Sequence, residues 1–375
     1  MVTQAQSSAL DHVKQRAQAA AGSARTRLAA LFERSGLGSA DLQTLLRHCQ
    51  ERARVTLNFH PDRPCDDGRT VAERLLAEGQ YRSQFVTGIS SGSRTAFAGG
   101  DRDRWEEALF GGAYHQPGIL ADERPRYGGL DLLRHGDGAC PRFGSCYFEL
   151  RAPSLAQCTF TWGDSHTRPE IVGTIEAFEP VLAALLEGVE ATGEALGVFG
   201  LDVASLTRLL TSSLDPGRGE VASRSPGRAL DAYIEAQIHG TIDLARDVAA
   251  LVIDPSFVGT EAGDHLGSLA AMHGFALHTH RGFVLRPAEV PADFRGPRMV
   301  PLAAELDQRF GHGRGAIDAS VIGRAARSLH EDPESFRAWG SADEARQLLK
   351  QLWHVLVRYG RARADQAPRP TLAMP

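Results

Sequence analysis

The stretch RVTLNFHPDR, Arg54 to Arg63, is where the chain changes period. Arg54 to Phe59 alternates and is rich in residues that favour strands, so it predicts a strand. His60 follows at the strand end. Pro61 then stops the ladder, because it has no N–H to donate. Upstream the pattern is helical: residues 8 to 50 are rich in Ala, Arg, Gln and Leu, with Gly22 or Gly36 as breaks and Ser39 as the cap of a later helix. Downstream, TVAERLLAEG predicts a short helix that Gly79 ends as its C-cap.

Working outward, YRSQFVTGISSGS reads as strand and then a Gly/Ser loop. Residues 99 to 142 are rich in Gly, Pro, Asp and Arg, with one helix at DRWEEALFG, and read as a long irregular stretch. Strands are expected at SCYFELR, QCTFTWG, YIEAQIHG, ALVID and GFALHTHRGFVLRP. Helices are expected at AFEPVLAALLEGVEA and DVASLTRLLTSSL, and from MVPLAAELDQRFG onward through AIDASVIGRAARSLH and SADEARQLLKQLWHVLVRYG, with RARADQAPRPTLAMP as a frayed tail. Helices, then mixed strands and helices, then helices again predict an α+β core with helical extensions.

The 375 residues suffice for one large domain or two modest ones, and 42% hydrophobic with 23% charged residues predicts an ordinary core. The net charge of -5 advertises no global affinity for nucleic acid. Five cysteines, Cys49, Cys65, Cys140, Cys146 and Cys158, form no CxxC pair and read as reduced thiols. The N-terminus lacks an apolar signal core, and no apolar run approaches the roughly 18 residues that a span needs. The expectation is a cytoplasmic protein with no membrane partner, export without a cleaved signal staying open.

There is no P-loop, no GxSxG elbow, no dinucleotide fingerprint and no HExxH. His278 and His280 in HTH lack a third partner for a metal. Three stretches remain. The first is the strand ending in His60, followed by its helix and YRSQF. The second is PRFGSCYFEL, a glycine-bearing approach to a strand with Tyr147. The third is YIEAQIHGTIDLARDVAALVID, which carries Glu235 on an otherwise apolar strand.

In that order the three stretches resemble the motifs of the ADP-ribosyltransferase superfamily, in its histidine-tyrosine-glutamate branch with diphtheria toxin and the poly(ADP-ribose) polymerases. FHPDR and YRSQF also resemble an uncharacterised bacterial domain family, which brings no activity with it. The sequence departs from the transferase pattern in its Pro-Asp-Arg after the histidine, in FGSCYF, one residue shorter than the polymerase form, and in a helical insertion. The resemblance implies an α+β fold, a split pair of packed β-sheets with a cleft. Its catalytic domain would span 52–290 with an insertion at about 176–214, between an N-terminal helical segment (1–51) and a C-terminal helical extension (291–375). It implies NAD as substrate, no metal, and transfer of ADP-ribose to a protein or nucleic-acid acceptor with release of nicotinamide.

The implied catalytic residues are Glu235, His60 and Tyr147. Glu235 would stabilise an oxocarbenium-like state and hold a ribose hydroxyl, Tyr147 would stack on nicotinamide, and His60 would bond the adenosine ribose. Arg82 and Ser83 would meet the diphosphate or ribose, Ser145 would support the Tyr147 ring, and Tyr127 would form a second aromatic wall. Asp164 reads as a turn or cap residue. Arg102, Arg104, Arg124, Arg126 and Arg142 make the long loop basic, but acidic neighbours largely cancel them. Tyr233 stands where arginine-modifying relatives carry Glu or Gln, which disfavours an arginine acceptor. Two other readings stay open: an inactive or NAD-hydrolysing domain of the same fold acting as an interaction module, and a metal-dependent hydrolase using His60, Asp62 and Asp164.

Overall fold

The structure, a computed structural model, describes residues 2–88, 95–213, 228 and 230–363. Most of the expected Gly/Ser loop and of the expected frayed tail lies outside the described residues.

The change of period at Arg54 falls between helix and strand. Helices α1 (Gln4–Arg34) and α2 (Ser39–Arg52) precede it, and strand β1 (Arg54–Phe59) follows. Gly22 lies inside α1, whereas Gly36 takes φ 69 and makes the break. Helix α3 (Val71–Glu78) ends as expected, with Gly79 in the left-handed region and its N–H on the Leu75 carbonyl. Pro61 and Arg63 lend their carbonyls to Ala72 and Val71, at 2.8 and 3.0 Å, so the turn after β1 is tied to the start of α3.

Seven further strands join β1 in one sheet: β2 (Arg126–Asp131), β3 (Cys146–Leu150), β4 (Cys158–Trp162), β5 (Val172–Thr174), β6 (Ile234–Ile238), β7 (Val248–Ile253) and β8 (Ala276–Thr279). Their spatial order is β8-β7-β3-β1-β2-β6-β4-β5, antiparallel except at the β7–β8 pair. The molecule is therefore mixed α+β with a large mixed sheet, and not two separate packed sheets. Yet the sheet is incomplete at its middle. β1 meets β2 only through Arg54, Val55 and Thr56, opposite Asp131, Leu130 and Gly129. Beyond that, Leu57 to Phe59 pair only with β3, and Arg126 to Gly128 pair only with β6. One half of the sheet parts from the other there.

β2 corrects the reading of residues 99 to 142 as irregular. Two adjacent glycines hide it, since glycine is a poor strand former. The structure gives the reason for them. A Cβ at Gly128 would overlap the Thr56 carbonyl and Leu57, and one at Gly129 would overlap Cys140 and Ala139.

Helix α4 (Asp101–Leu109) lies in the same stretch, as DRWEEALFG predicted. Helices α5 (Glu179–Thr192) and α6 (Val203–Ser213) follow β5. After β7 comes α7 (Glu261–His273), and after β8 come α8 (Met299–Phe310), α9 (Ala319–Glu331) and α10 (Ala342–Tyr359). The apolar residues of β1, β3 and β6 join Leu182, Leu185 and Leu186 of α5 and Leu352 and Leu356 of α10 in one core. All five cysteines are buried and free. No helix among the described residues is long and apolar enough to cross a membrane.

Candidate active site

Where the two halves of the sheet part, a cleft opens with a cavity volume of about 170 Å³. Asn58, Phe59 and His60 stand on its β1 side, and Tyr127, Gly128 and Glu235 on its β2–β6 side. Tyr81, Phe143 and Asp164 complete its walls, together with Arg63, Arg82, Arg102 and Arg126.

His60 ends β1 and leans edge-on against Trp353 of α10, with ring centroids 5.0 Å apart. Its Nδ1 lies 3.3 Å from Ser145 Oγ. Burial holds its pKa well below the ordinary histidine value, with the charge of Arg63 acting in the same direction. The ring is thus neutral at neutral pH, suited to hydrogen bonding with hydroxyls rather than to carrying charge.

Glu235 is 4% exposed on β6. Gln237 Nε2 donates to its Oε1 at 2.9 Å, and the Ser165 backbone N–H donates to the same atom at 3.3 Å. Burial pushes its pKa up to about 8, and the negative charge of Asp164 adds to the rise. Asp164 itself stays below the usual carboxylate range. Burial pushes it up, but the backbone N–H and imidazole of His166 more than offset that, the latter at 2.7 Å. Two carboxyl groups of opposite tendency therefore share one wall, the pattern that separates acid and base roles.

Tyr127 donates to Glu106 Oε1 at 2.7 Å, and Arg102 lies over its ring at 4.3 Å. Arg102 Nε and Nη1 are buried without a hydrogen-bond partner among the described residues. That is a costly state for a guanidinium unless an acceptor enters the cleft.

Of the residues singled out in the sequence, His60, Arg82, Tyr127 and Glu235 border the cleft, as do Asp164, Arg102 and Arg126. Ser145 Oγ touches the His60 ring. Arg82 is already paired, with Glu78 at 3.1 Å and Asp122 at 3.4 Å. Ser83 is buried and spends its hydroxyl on the Ala121 carbonyl at 2.8 Å. Tyr147 does not line the cleft. It faces Asn58 across β3 and β1, and the loop after β2 seals it: its hydroxyl meets the His135 carbonyl at 3.4 Å, and a Cβ at Gly138 would press on its ring. A nicotinamide stacked on Tyr147 would need that loop to leave.

Asp62 lies against Gly323 of α9, not in the cleft wall. His280 is buried with Nε2 on the Ser145 carbonyl at 2.8 Å, while His278 is exposed. Sequence reasoning missed Arg63, Phe143 and Trp353, whose roles depend on long-range packing. Gln237 and His239 had a signal: Glu-Ala-Gln-Ile-His alternates polar and apolar, which puts three polar groups on one face of a strand.

Residues 54–359, about four-fifths of the chain, match the family model described as Protein of unknown function (DUF3626). No curated protein matches the chain. The family description names no activity, so it lends no support to the likeness to ADP-ribosyltransferases.

Proposed function

The chain belongs to the DUF3626 family, and within it we propose an NAD-dependent ADP-ribosyltransferase that binds NAD in the cleft and passes ADP-ribose to a macromolecular acceptor. One observation carries the reading: His60 and Glu235 border a single cleft from opposite halves of a parted sheet. The resemblance implies a cleft between two packed sheets; here the cleft that joins these two residues lies instead between two halves of one sheet.

The residues present suit the ligand. Arg102 offers two N–H-bearing nitrogens with no partner among the described residues, and a diphosphate supplies acceptors for them. Tyr81, Tyr127 and Phe143 offer the flat apolar area expected of Tyr147, whose role as a stacking residue is dropped. Neutral His60 can bond a ribose hydroxyl.

Glu235 supplies the electrostatics. The reaction breaks the bond between ribose and nicotinamide and leaves positive charge on the ribose. A cationic group beside Glu235 favours its ionised form, against burial and Asp164, which favour the neutral one. The carboxylate would then be strongest when positive charge develops, which is where stabilisation speeds a reaction. Nicotinamide leaves neutral with the bonding electron pair, and the acceptor's nucleophile bonds to the same ribose carbon and releases its proton to water. Tyr233, buried at the start of β6, stands where an arginine-specific relative carries Glu or Gln, so an arginine acceptor is disfavoured.

The test is calorimetry with NAD, followed by nicotinamide release by the wild type and Glu235→Gln. The reading expects heat of binding in both and about 100-fold slower release in the variant. No heat and no thermal shift at millimolar NAD overturns the proposal, as does full release by folded Glu235→Gln.

A further inference from the structure

Glu235 is held by a run of hydrogen bonds whose polarity is set from both sides. Gln237 Nε2 donates to Glu235 Oε1 at 2.9 Å and to Thr161 Oγ1 at 3.1 Å. Thr161 gives its own proton to the Gly163 carbonyl at 3.0 Å, so it accepts from Gln237. On the opposite side, Thr159 Oγ1 donates to Gln237 Oε1 at 2.8 Å.

The run continues inward. His239 Nε2 lies 3.0 Å from Thr159 Oγ1, and His239 Nδ1 lies 2.6 Å from the Tyr114 hydroxyl. His239 is fully buried, and burial holds its pKa down at about 3, so the ring is neutral and carries one N–H. The Tyr114 hydroxyl has no other hydrogen-bond partner among the described residues, so a buried O–H that must place its proton gives it to Nδ1. The ring proton then sits on Nε2 and goes to Thr159, whose hydroxyl proton goes to Gln237. Every atom of the run agrees on one orientation of the amide.

We propose that Tyr114, His239 and Thr159 are positioning residues for Glu235, locking the Gln237 amide with its NH2 group toward the carboxyl. This rests on the reading of Glu235 as the acidic group of the cleft. A turned amide would set Oε1 against a carboxylate, acceptor on acceptor, a contact that only a protonated carboxyl tolerates. The relay therefore favours the ionised form of Glu235. It is also braced from outside the family match. Tyr114 stacks on His239, with ring centroids 6.0 Å apart, and shares a buried apolar cluster with Ala5, Ala9 and Val13 of α1. The N-terminal helix thus holds the far end of the relay.

The test reads Glu235 itself and uses no nucleotide. Isotope-edited infrared titration follows the carboxyl C=O band, assigned by its loss in Glu235→Gln. Other groups acting on Glu235 are Asp164 after β4, Arg102 of α4, Tyr127 of β2, Cys140 in the loop after β2 and Tyr233 at the start of β6. Thr159→Val leaves all of them in place and keeps the volume of the side chain. The expected result is a Glu235 midpoint about one pH unit higher, a tenfold change, on losing the bond that orients the amide. Tyr114→Phe should raise it by about 0.3 unit, twofold, as the imidazole divides between two tautomers. Unchanged midpoints in both folded variants overturn the proposal. If Thr159→Val does not fold, an unchanged midpoint in Tyr114→Phe overturns it alone. Because no NAD is present, failure of NAD binding and failure of the relay are read separately.

Discussion

The His60 imidazole meets the Trp353 indole edge-on, its plane at 80° to the indole. Trp353 also donates Nε1–H to the Pro141 carbonyl at 2.8 Å and packs against Phe283. One side chain of the last helix thereby closes off the end of β1 and ties down the loop that leads into β3.

This contact has a measurable consequence. Trp353→Ala should cost about 3 to 5 kcal/mol, the usual scale for removing a buried aromatic. Trp353→Phe should cost about 1 to 2 kcal/mol, mainly the hydrogen bond. Where Trp353→Ala folds, water reaches His60, and its pKa should rise toward the ordinary value, since burial is what depresses it. NMR titration of the His60 ring checks this. An unshifted ring would mean that Trp353 is not what keeps it dry.

Glu235 should make stability depend on pH. Its folded pKa, about 8, lies above the ordinary 4.5, so between these values the folded state holds more protons than the unfolded chain. Stability contributed by the neutral carboxyl is present below about pH 4.5 and falls as pH rises, levelling off above about pH 8. The scale is about 1.4 kcal/mol per unit of pKa difference. Glu235→Gln stays neutral throughout, so its stability relative to wild type should climb between pH 5 and 8. Urea unfolding across that range is the measurement, and a constant difference would show that Glu235 is ionised in the folded protein.

Tyr147 and His60 should behave differently from one another. Tyr147→Ala should lower stability by about 3 to 5 kcal/mol, as for other buried aromatics, with NAD affinity per folded molecule unchanged. His60→Ala should weaken NAD binding about tenfold, the scale of one hydrogen bond of about 1.4 kcal/mol, with a smaller effect on stability. Calorimetry on the folded fraction separates the two. Loss of NAD affinity in folded Tyr147→Ala would return Tyr147 to the site.

Much of the architecture was legible locally. The alternation of Arg54 to Phe59 and of Ile234 to Ile238 names strands, and Gly79 names a helix end, because side-chain period and glycine's access to positive φ are properties of a few adjacent residues. His60 and Glu235 were conspicuous for related reasons: His60 is polar where its strand ends, and Glu235 is an acidic group set between the apolar Ile234 and Ala236. Tyr147 was not distinguishable in this way, since an aromatic on a strand looks the same whether it lines a cleft or lies sealed beneath a loop.

What the sequence by itself determined is thus the alternation of helix and strand and the few polar groups set against it. Only the tertiary structure decided which of them meet. Gly128 and Gly129 read as loop until Thr56 and Cys140 approach them, and their missing side chains then become the condition for a central strand. The cleft exists because β1 and β2 part beyond Thr56 and Gly129, and its end is closed by Trp353 from the far end of the chain. The proton of His239 was equally invisible, being set by Tyr114, Thr159 and Gln237, which come from three separate segments. Contacts of this kind depend on distance in space rather than along the chain, and no local pattern records them.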